Sequence, residues 1–527
     1  MKNKLLKKIF SRFAFVALTI IFLFVLFVAA ILFGILFLNG VIVYYFPDLE
    51  RYISTMLNIL GWVIVVLTVL HAANRDMVPE TKIPWIICII ALNVFGVAIY
   101  ATFSSNRPSR KTRKIYNMLR EKTAPYELCT VSKEEIRLHT GHWSAVSEAL
   151  STVNPSTVLY GGTKTEYFPS GEEMLPRFLA DLNGAREYIF MEYFILEYGK
   201  FWDAVLEILE RKVKEGVEVR VMYDDVGCMG KIRFNYHKLL RKKGIQCVKF
   251  NPFVPVVTSV HNNRDHRKIT VIDGRIAYTG GLNLADEYVN ETQPFGYWKD
   301  TAIRLEGPAV RSVLLTFLNL YNLQLRRTED ISRYVPAEVE TFEGEGFVQP
   351  YGDGPYPLYK RHLSEDVYIN VINNANCTVW IATPYLIIDY RMREALILAA
   401  ERGVDVRILV PHIPDKKIPF ALTRSNYMAL IKGGVKIFEY TPGFVHAKML
   451  LADNEAAVIG TVNLDYRSFL YHFENAVLLF RAKAIDAMEA DMVAAFSASK
   501  QQTEGDAKRS VVWRGICEIA KLFAPLF

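Results

Sequence analysis

His266-Arg-Lys268-Ile-Thr-Val-Ile-Asp273, followed by Gly280-Gly281-Leu-Asn283, returns 180 residues later as His446-Ala-Lys448-Met-Leu-Leu-Ala-Asp453, followed by Gly460-Thr461-Val-Asn463. In both copies Lys lies two positions after His, Asp seven and Asn seventeen. Residues two apart on a strand share a face. Each His–Lys pair therefore points to one side of a strand that continues toward a core. Asp-Gly and Asp-Asn then supply a turn, and Gly-Gly or Gly-Thr permits close backbone approach. A lone His on a strand says little. Two copies in one register point to a shared catalytic task.

The repeat extends upstream. Lys214-Glu-Gly216-Val-Glu-Val-Arg220 matches Glu401-Arg-Gly403-Val-Asp-Val-Arg407, and the Lys243–Phe250 segment matches Lys432–Phe438. Helix-period segments at 202–215 and 392–402 precede apolar strand-like runs at 217–223 and 404–410. That alternation predicts an α/β fold with a mostly buried sheet, built twice. A period of this length is domain duplication, not a short-period solenoid.

Charge divides the 527-residue chain unevenly. Residues 1–105 carry 8 Lys+Arg and 4 Asp+Glu, against 54 and 51 in the rest. The body is thus an ordinary globular composition with a small positive excess, and a disordered or collagen-like chain is excluded. No basic domain marks nucleic-acid binding. Six scattered cysteines with no CxxC support neither structural zinc nor a disulfide framework.

The charge-poor part holds three apolar runs, 13–46, 56–73 and 83–103, against a need of about 20 residues per span. We expect two or three transmembrane helices within 1–106. Basic clusters precede the first run (Lys2, Lys4, Lys7, Lys8, Arg12) and follow the third (Arg107, Arg110, Lys111, Arg113, Lys114). Both favour the cytoplasm, a conflict for three spans. The expected location is a bacterial cell membrane, multi-pass, with the body in the cytoplasm.

Lysine is a poor metal ligand because its amine, with an ordinary pKa of about 10.4, stays protonated. The pattern argues against a catalytic zinc and suits phosphoryl chemistry. One neutral imidazole attacks phosphorus, and a second, protonated one donates to the leaving oxygen. Two Lys and two Asn, Asn283 and Asn463, supply donors to the phosphate oxygens. No metal or cofactor is required. One half cannot supply both imidazoles, so the site belongs between the halves. Each imidazole needs an orienting carboxylate. Asp300 and Glu474 follow their motifs at similar distances and are the candidates, acting across the interface. Asp273 and Asp453 are read as turn supports more than substrate contacts. His237, His261, His412 and His472 have no repeated partner and receive no role.

At these residues the chain resembles the phospholipase D superfamily, whose HxKxxxxD motif occurs here twice, over roughly 155–500. Within it the chain is similar to the bacterial cardiolipin synthase family. The segments that carry this are the apolar pair around Asn74–Lys82, Phe190-Met-Glu-Tyr-Phe194, Trp298-Lys-Asp-Thr301 with Glu306-Gly-Pro308, and Thr383-Pro-Tyr-Leu386. The resemblance implies two similar phospholipase D-like domains packed with the active site between them, preceded by transmembrane helices. It implies phosphatidyl transfer between two phosphatidylglycerol molecules, giving cardiolipin and glycerol through a phosphohistidine. His266 is taken as nucleophile and His446 as general acid/base, with Lys268, Lys448, Asp273 and Asp453 completing the catalytic set. The implied partners are phosphatidylglycerol and anionic membrane lipids, with no nucleic acid. Other lipid phosphodiesterases or phosphatidyltransferases are the alternative, a membrane-tethered nuclease a weaker one.

The expected boundaries are an anchor at 1–106, a basic juxtamembrane linker at 107–154, repeat domains at 155–335 and 336–505, and an amphipathic C-terminal segment at 506–527. In that segment Val512, Ile516, Ile519, Ala520 and Phe523 fall at helical spacing. The stripe is read as packing on the body, with the membrane surface as the alternative.

Overall fold

The computed structural model describes residues 47–127, 131, 133–253, 259–508 and 510–524. Two sheets of the same design account for the duplicated sequence. In the first half the strands are β1 (Tyr188–Tyr193), β2 (Glu218–Asp224), β3 (Gln246–Phe250), β4 (Lys268–Ile272), β5 (Ile276–Gly280) and β6 (Ala302–Glu306). The second half supplies β7 (Thr378–Ala382), β8 (Asp405–Pro411), β9 (Lys436–Tyr440), β10 (Met449–Ala452), β11 (Ala456–Gly460) and β12 (Glu474–Phe480). Their orders are β6-β5-β4-β1-β2-β3 and β12-β11-β10-β7-β8-β9. In each, the first three strands in chain order pair in parallel and the last three join antiparallel. This is a mixed α/β sheet. Edge strands extend both. Lys164–Phe168 lies on β6, Phe347–Asp353 on β12, and Ser499–Gln501 on β9.

The strands are apolar on both faces because both faces are covered. In β1, Tyr188 and Phe190 enter one core while Ile189, Met191 and Tyr193 enter another, on the opposite side. The first of these cores is shared by the halves. It joins Ile303 and Leu305 of β6 to Ala457 and Ile459 of β11 and Val477 and Leu479 of β12. The helix Val310–Leu325 lies in the same core and is buried along most of its length.

The described residues up to Ser105 belong to a separate unit. The described residues supply one candidate for the two or three spans expected within 1–106. Among the described residues one helix is long and apolar enough to cross a membrane, over Tyr52–Asn74. The run 83–103 is not one continuous helix. It is divided into Pro79–Leu92 and Val94–Phe103, because Asn93 takes a left-handed φ of 52° between them. Gly96 then lies so close to the Cys88 carbonyl that a Cβ would sit 2.3 Å from it. The run 13–46 lies outside the described residues.

Candidate active site

Each repeated motif begins just ahead of a strand, at the side facing the other half. Lys268 and Met449, at the starts of β4 and β10, are preceded by His266 and by His446 with Lys448. Two short parallel ladders carry these segments across. Gly443–Val445 pairs with Tyr297–Lys299, and Asp265 bridges Phe473. The His446 amide donates to the Lys299 carbonyl at 2.7 Å, and the His266 amide to the Phe473 carbonyl at 2.9 Å. The residue after each of those carbonyls is a carboxylate, Asp300 and Glu474.

The carboxylates therefore meet the opposite half's imidazole. His266 Nδ1 lies 2.9 and 3.0 Å from the two oxygens of Glu474. His446 Nδ1 lies 2.6 Å from Asp300 Oδ2. Both carboxylates are fully buried. The Thr461 hydroxyl also donates to Glu474, and the Thr301 amide to Asp300 at 2.8 Å. With Nδ1 so held, each ring's Nε2 is left for chemistry.

Lys268 and Lys448 donate back to the carbonyls of His266 and His446, Lys268 at 2.6 Å. Burial drives both ammonium groups down, Lys268 to about 8 and Lys448 to about 7. Burial, with both lysines adding repulsion, holds both imidazoles well below the ordinary histidine value. Burial pushes Asp300 the other way, up to about 7, against the pull of Lys448. Each lysine acts on both imidazoles, so all four groups converge on one centre.

The motif aspartates are elsewhere. Asp273 accepts the backbone amides of Arg186, Glu187 and Tyr188, each at 2.8 Å. Asp453 accepts those of Asn376, Cys377 and Thr378 at 2.7–2.8 Å. Both take left-handed φ values, 52° and 53°, that turn the chain into the next strand. Asn283 is tied at both ends. It accepts from the Ile195 amide at 2.9 Å and donates to the Tyr288 hydroxyl at 2.7 Å. Asn463 is buried and its Oδ1 has no hydrogen-bond partner.

Four aromatic rings that carry no repeat signal also wall the site. Phe194 and His472 lie 5.1 and 5.4 Å from the His266 ring, centroid to centroid. Tyr288 and Trp298 lie 5.3 and 5.4 Å from that of His446. His472 and Trp298 become visible in the sequence only when counted back from Glu474 and Asp300, two residues in each case. Burial takes His472 down to about 3, so it is neutral at physiological pH. His266, His472 and Glu474 place one donor atom each within 4.8 Å of one another, a zinc-like donor set. His266 and Glu474 are already bonded to each other, however, and two buried ammonium groups oppose a further cation.

The family model described as "Cardiolipin synthase, PLD-like domain" matches residues 178–294 and 368–495. A cardiolipin synthase of Alkalihalophilus pseudofirmus is 33% identical, covering 82% of this chain and 85% of the relative. One of Halalkalibacterium halodurans is 32% identical, covering 87% and 91%. Among solved structures, the phosphatidylserine synthase of Haemophilus influenzae superposes with a TM-score of 0.55 at 14% identity, covering 72% of this chain and 99% of its own. At that identity the likeness concerns the fold alone.

Proposed function

The chain belongs to the cardiolipin synthase family with a phospholipase D-like domain, and from that premise we propose that it moves a phosphatidyl group between two phosphatidylglycerol molecules, releasing glycerol. The observation that carries this is the crossed pair of imidazoles, each held at Nδ1 by the other half's carboxylate. Two such groups around one phosphodiester are what double displacement at phosphorus needs.

His266 attacks phosphorus through Nε2. The bond from phosphorus to the glycerol oxygen breaks, and His446 gives that oxygen its proton. The products of this half are a phosphatidyl–His266 and glycerol. A hydroxyl of the second phosphatidylglycerol then loses its proton to His446 and attacks the phosphohistidine. Cardiolipin forms and His266 is freed. The proton for the first step is held on the His446–Asp300 side, where burial pushes the carboxylate up to about 7. Glu474 supports the charge that His266 gains. Lys268 and Lys448 face the phosphoryl oxygens as their charge grows. Asp273 and Asp453 hold the turns that position the strands.

We place the enzyme in a bacterial cell membrane, with its body at the cytoplasmic surface. The Tyr52–Asn74 helix supplies a membrane segment, and the basic residues from Arg107 to Lys114 suit the inner side. The test is full-length protein in vesicles with headgroup-labelled phosphatidylglycerol. Cardiolipin and free glycerol in equal amounts are expected. Phosphatidic acid as the sole lipid product would overturn transfer in favour of hydrolysis.

A further inference from the structure

The helix Val511–Phe523 presents its apolar side outward. Trp513, Ile516, Ile519 and Phe523 recur at helical spacing, and with Leu522 they are exposed, Ile516 by 51% and Ile519 by 62%. Among its described side chains, Cys517 and Ala524 are the buried ones. The helix packs on Lys417–Ser425, where the Lys521 ammonium reaches the Ser425 carbonyl at 3.5 Å. That neighbour adds exposed Ile418. A contiguous set of large exposed apolar side chains on a soluble body marks a surface that docks onto something.

Charge identifies what. From 508 to 524 the chain has Lys508, Arg509, Arg514 and Lys521 against Glu518 alone. Lys416 and Lys417, at the head of the neighbouring helix, are exposed. Apolar side chains flanked by cations fit a bilayer with anionic headgroups. The position fits too. Lys416 is near enough to His446 to lower its proton affinity. Asp415 accepts from the Tyr385 hydroxyl at 2.6 Å, and Thr423 accepts from the Leu386 amide at 3.0 Å. Lys416 thus ties the docking surface to His446, and Asp415 and Thr423 tie it to Tyr385 and Leu386.

We propose that Val511–Phe523, with Ile418, Lys416 and Lys417, rests on the surface of an anionic bilayer and holds the His446 side of the site at the level of the lipid headgroups. This rests on the lipid-transfer reading above. Its test uses Trp513 in the full-length protein, reconstituted in vesicles whose acyl chains carry bromine as a quencher. The difference in fluorescence between the wild type and Trp513→Phe isolates this residue. Quenching in phosphatidylglycerol vesicles, weakened by high salt or by phosphatidylcholine, is expected. No quenching in either lipid overturns the proposal. So does a disulfide between two copies of an Ile519→Cys variant in place of quenching, which would make the face an interface between chains. A second measurement compares each protein with itself. Ile516→Asp/Ile519→Asp should lose about tenfold of its vesicle activity relative to its activity on monomeric short-chain phosphatidylglycerol, and an unchanged ratio overturns the proposal. Quenching without any cardiolipin formation would sink the lipid-transfer reading and leave the docking surface standing.

Discussion

Trp298 and His472 hold matching places on opposite sides of the site. Trp298 sits 5.4 Å from the His446 ring at 43°, and His472 sits 5.4 Å from the His266 ring at 41°. Each precedes by two residues the carboxylate that holds that imidazole. The two halves are near copies, but here one offers an indole and the other an uncharged imidazole. Its Nδ1 is 3.6 Å from Glu474 Oε1, within a small shift of a charge-assisted hydrogen bond.

Replacing His472 by Phe should therefore lower kcat by about tenfold with little change in KM, since a hydrogen bond to a charged group is worth roughly 1.5–3 kcal/mol. His472→Asn, which keeps a donor, should recover most of the loss. Steady-state kinetics on both variants checks this. Equal activity of the Phe variant and the wild type would remove His472 from any positioning role.

His266→Ala and His446→Ala should each reduce turnover by at least about 10³-fold while leaving the fold intact. Rapid acid quench with phosphorus-labelled lipid should find the label on His266. Label on His446 would exchange the two roles.

The pH dependence has a definite sign. The lysines must be charged to hold the phosphodiester, and an ammonium is charged below its pKa. With Lys448 near 7 and Lys268 near 8, kcat/KM should fall as pH rises through about 7–8. The acid limb should lie well below the ordinary histidine value, where the nucleophile gains its proton. A kcat/KM profile flat up to pH 10 would contradict this.

Burying Lys448 costs stability. Its pKa is lower folded than unfolded, so between about 7 and its ordinary value of 10.5 the unfolded chain binds more protons. Wild-type stability should rise with pH across that window. Lys448→Met should unfold at a higher temperature at pH 7, by a few degrees, and be inactive. A lower unfolding temperature would mean the ammonium stabilises the fold.

Asp273→Ala removes the acceptor of three backbone amides and should destabilise the body by about 2 kcal/mol. The surviving folded fraction should keep its specific activity. A full-strength fold with lost activity would place Asp273 at the substrate instead.

The duplicated α/β design was legible because periodicity and repeat spacing are local properties. That Asp300 and Glu474 follow their motifs at similar distances was legible too. That each acts across the interface was expected; the Gly443–Val445 and Asp265 ladders that hold it there were not, because pairing between distant segments leaves no mark in spacing. His472 carries no repeat signal, because its counterpart is a Trp. The break at Asn93 was hidden inside an apolar run, where composition favours one long helix and a single left-handed residue decides otherwise. In the last helix, spacing showed a stripe, and hydrophobicity alone does not say whether a stripe faces inward.

The crossed ladders also bear on how such a protein can change. A half expressed alone would hold an imidazole with no acid to steady it and an acid with no imidazole to serve. Either half can drift in surface and loops without consulting the other. The few residues of the exchanged strands cannot, because an error on one side is felt as lost chemistry on the other. Joining the two copies in one polypeptide guarantees that they are made together, in equal number, and inherited as a pair.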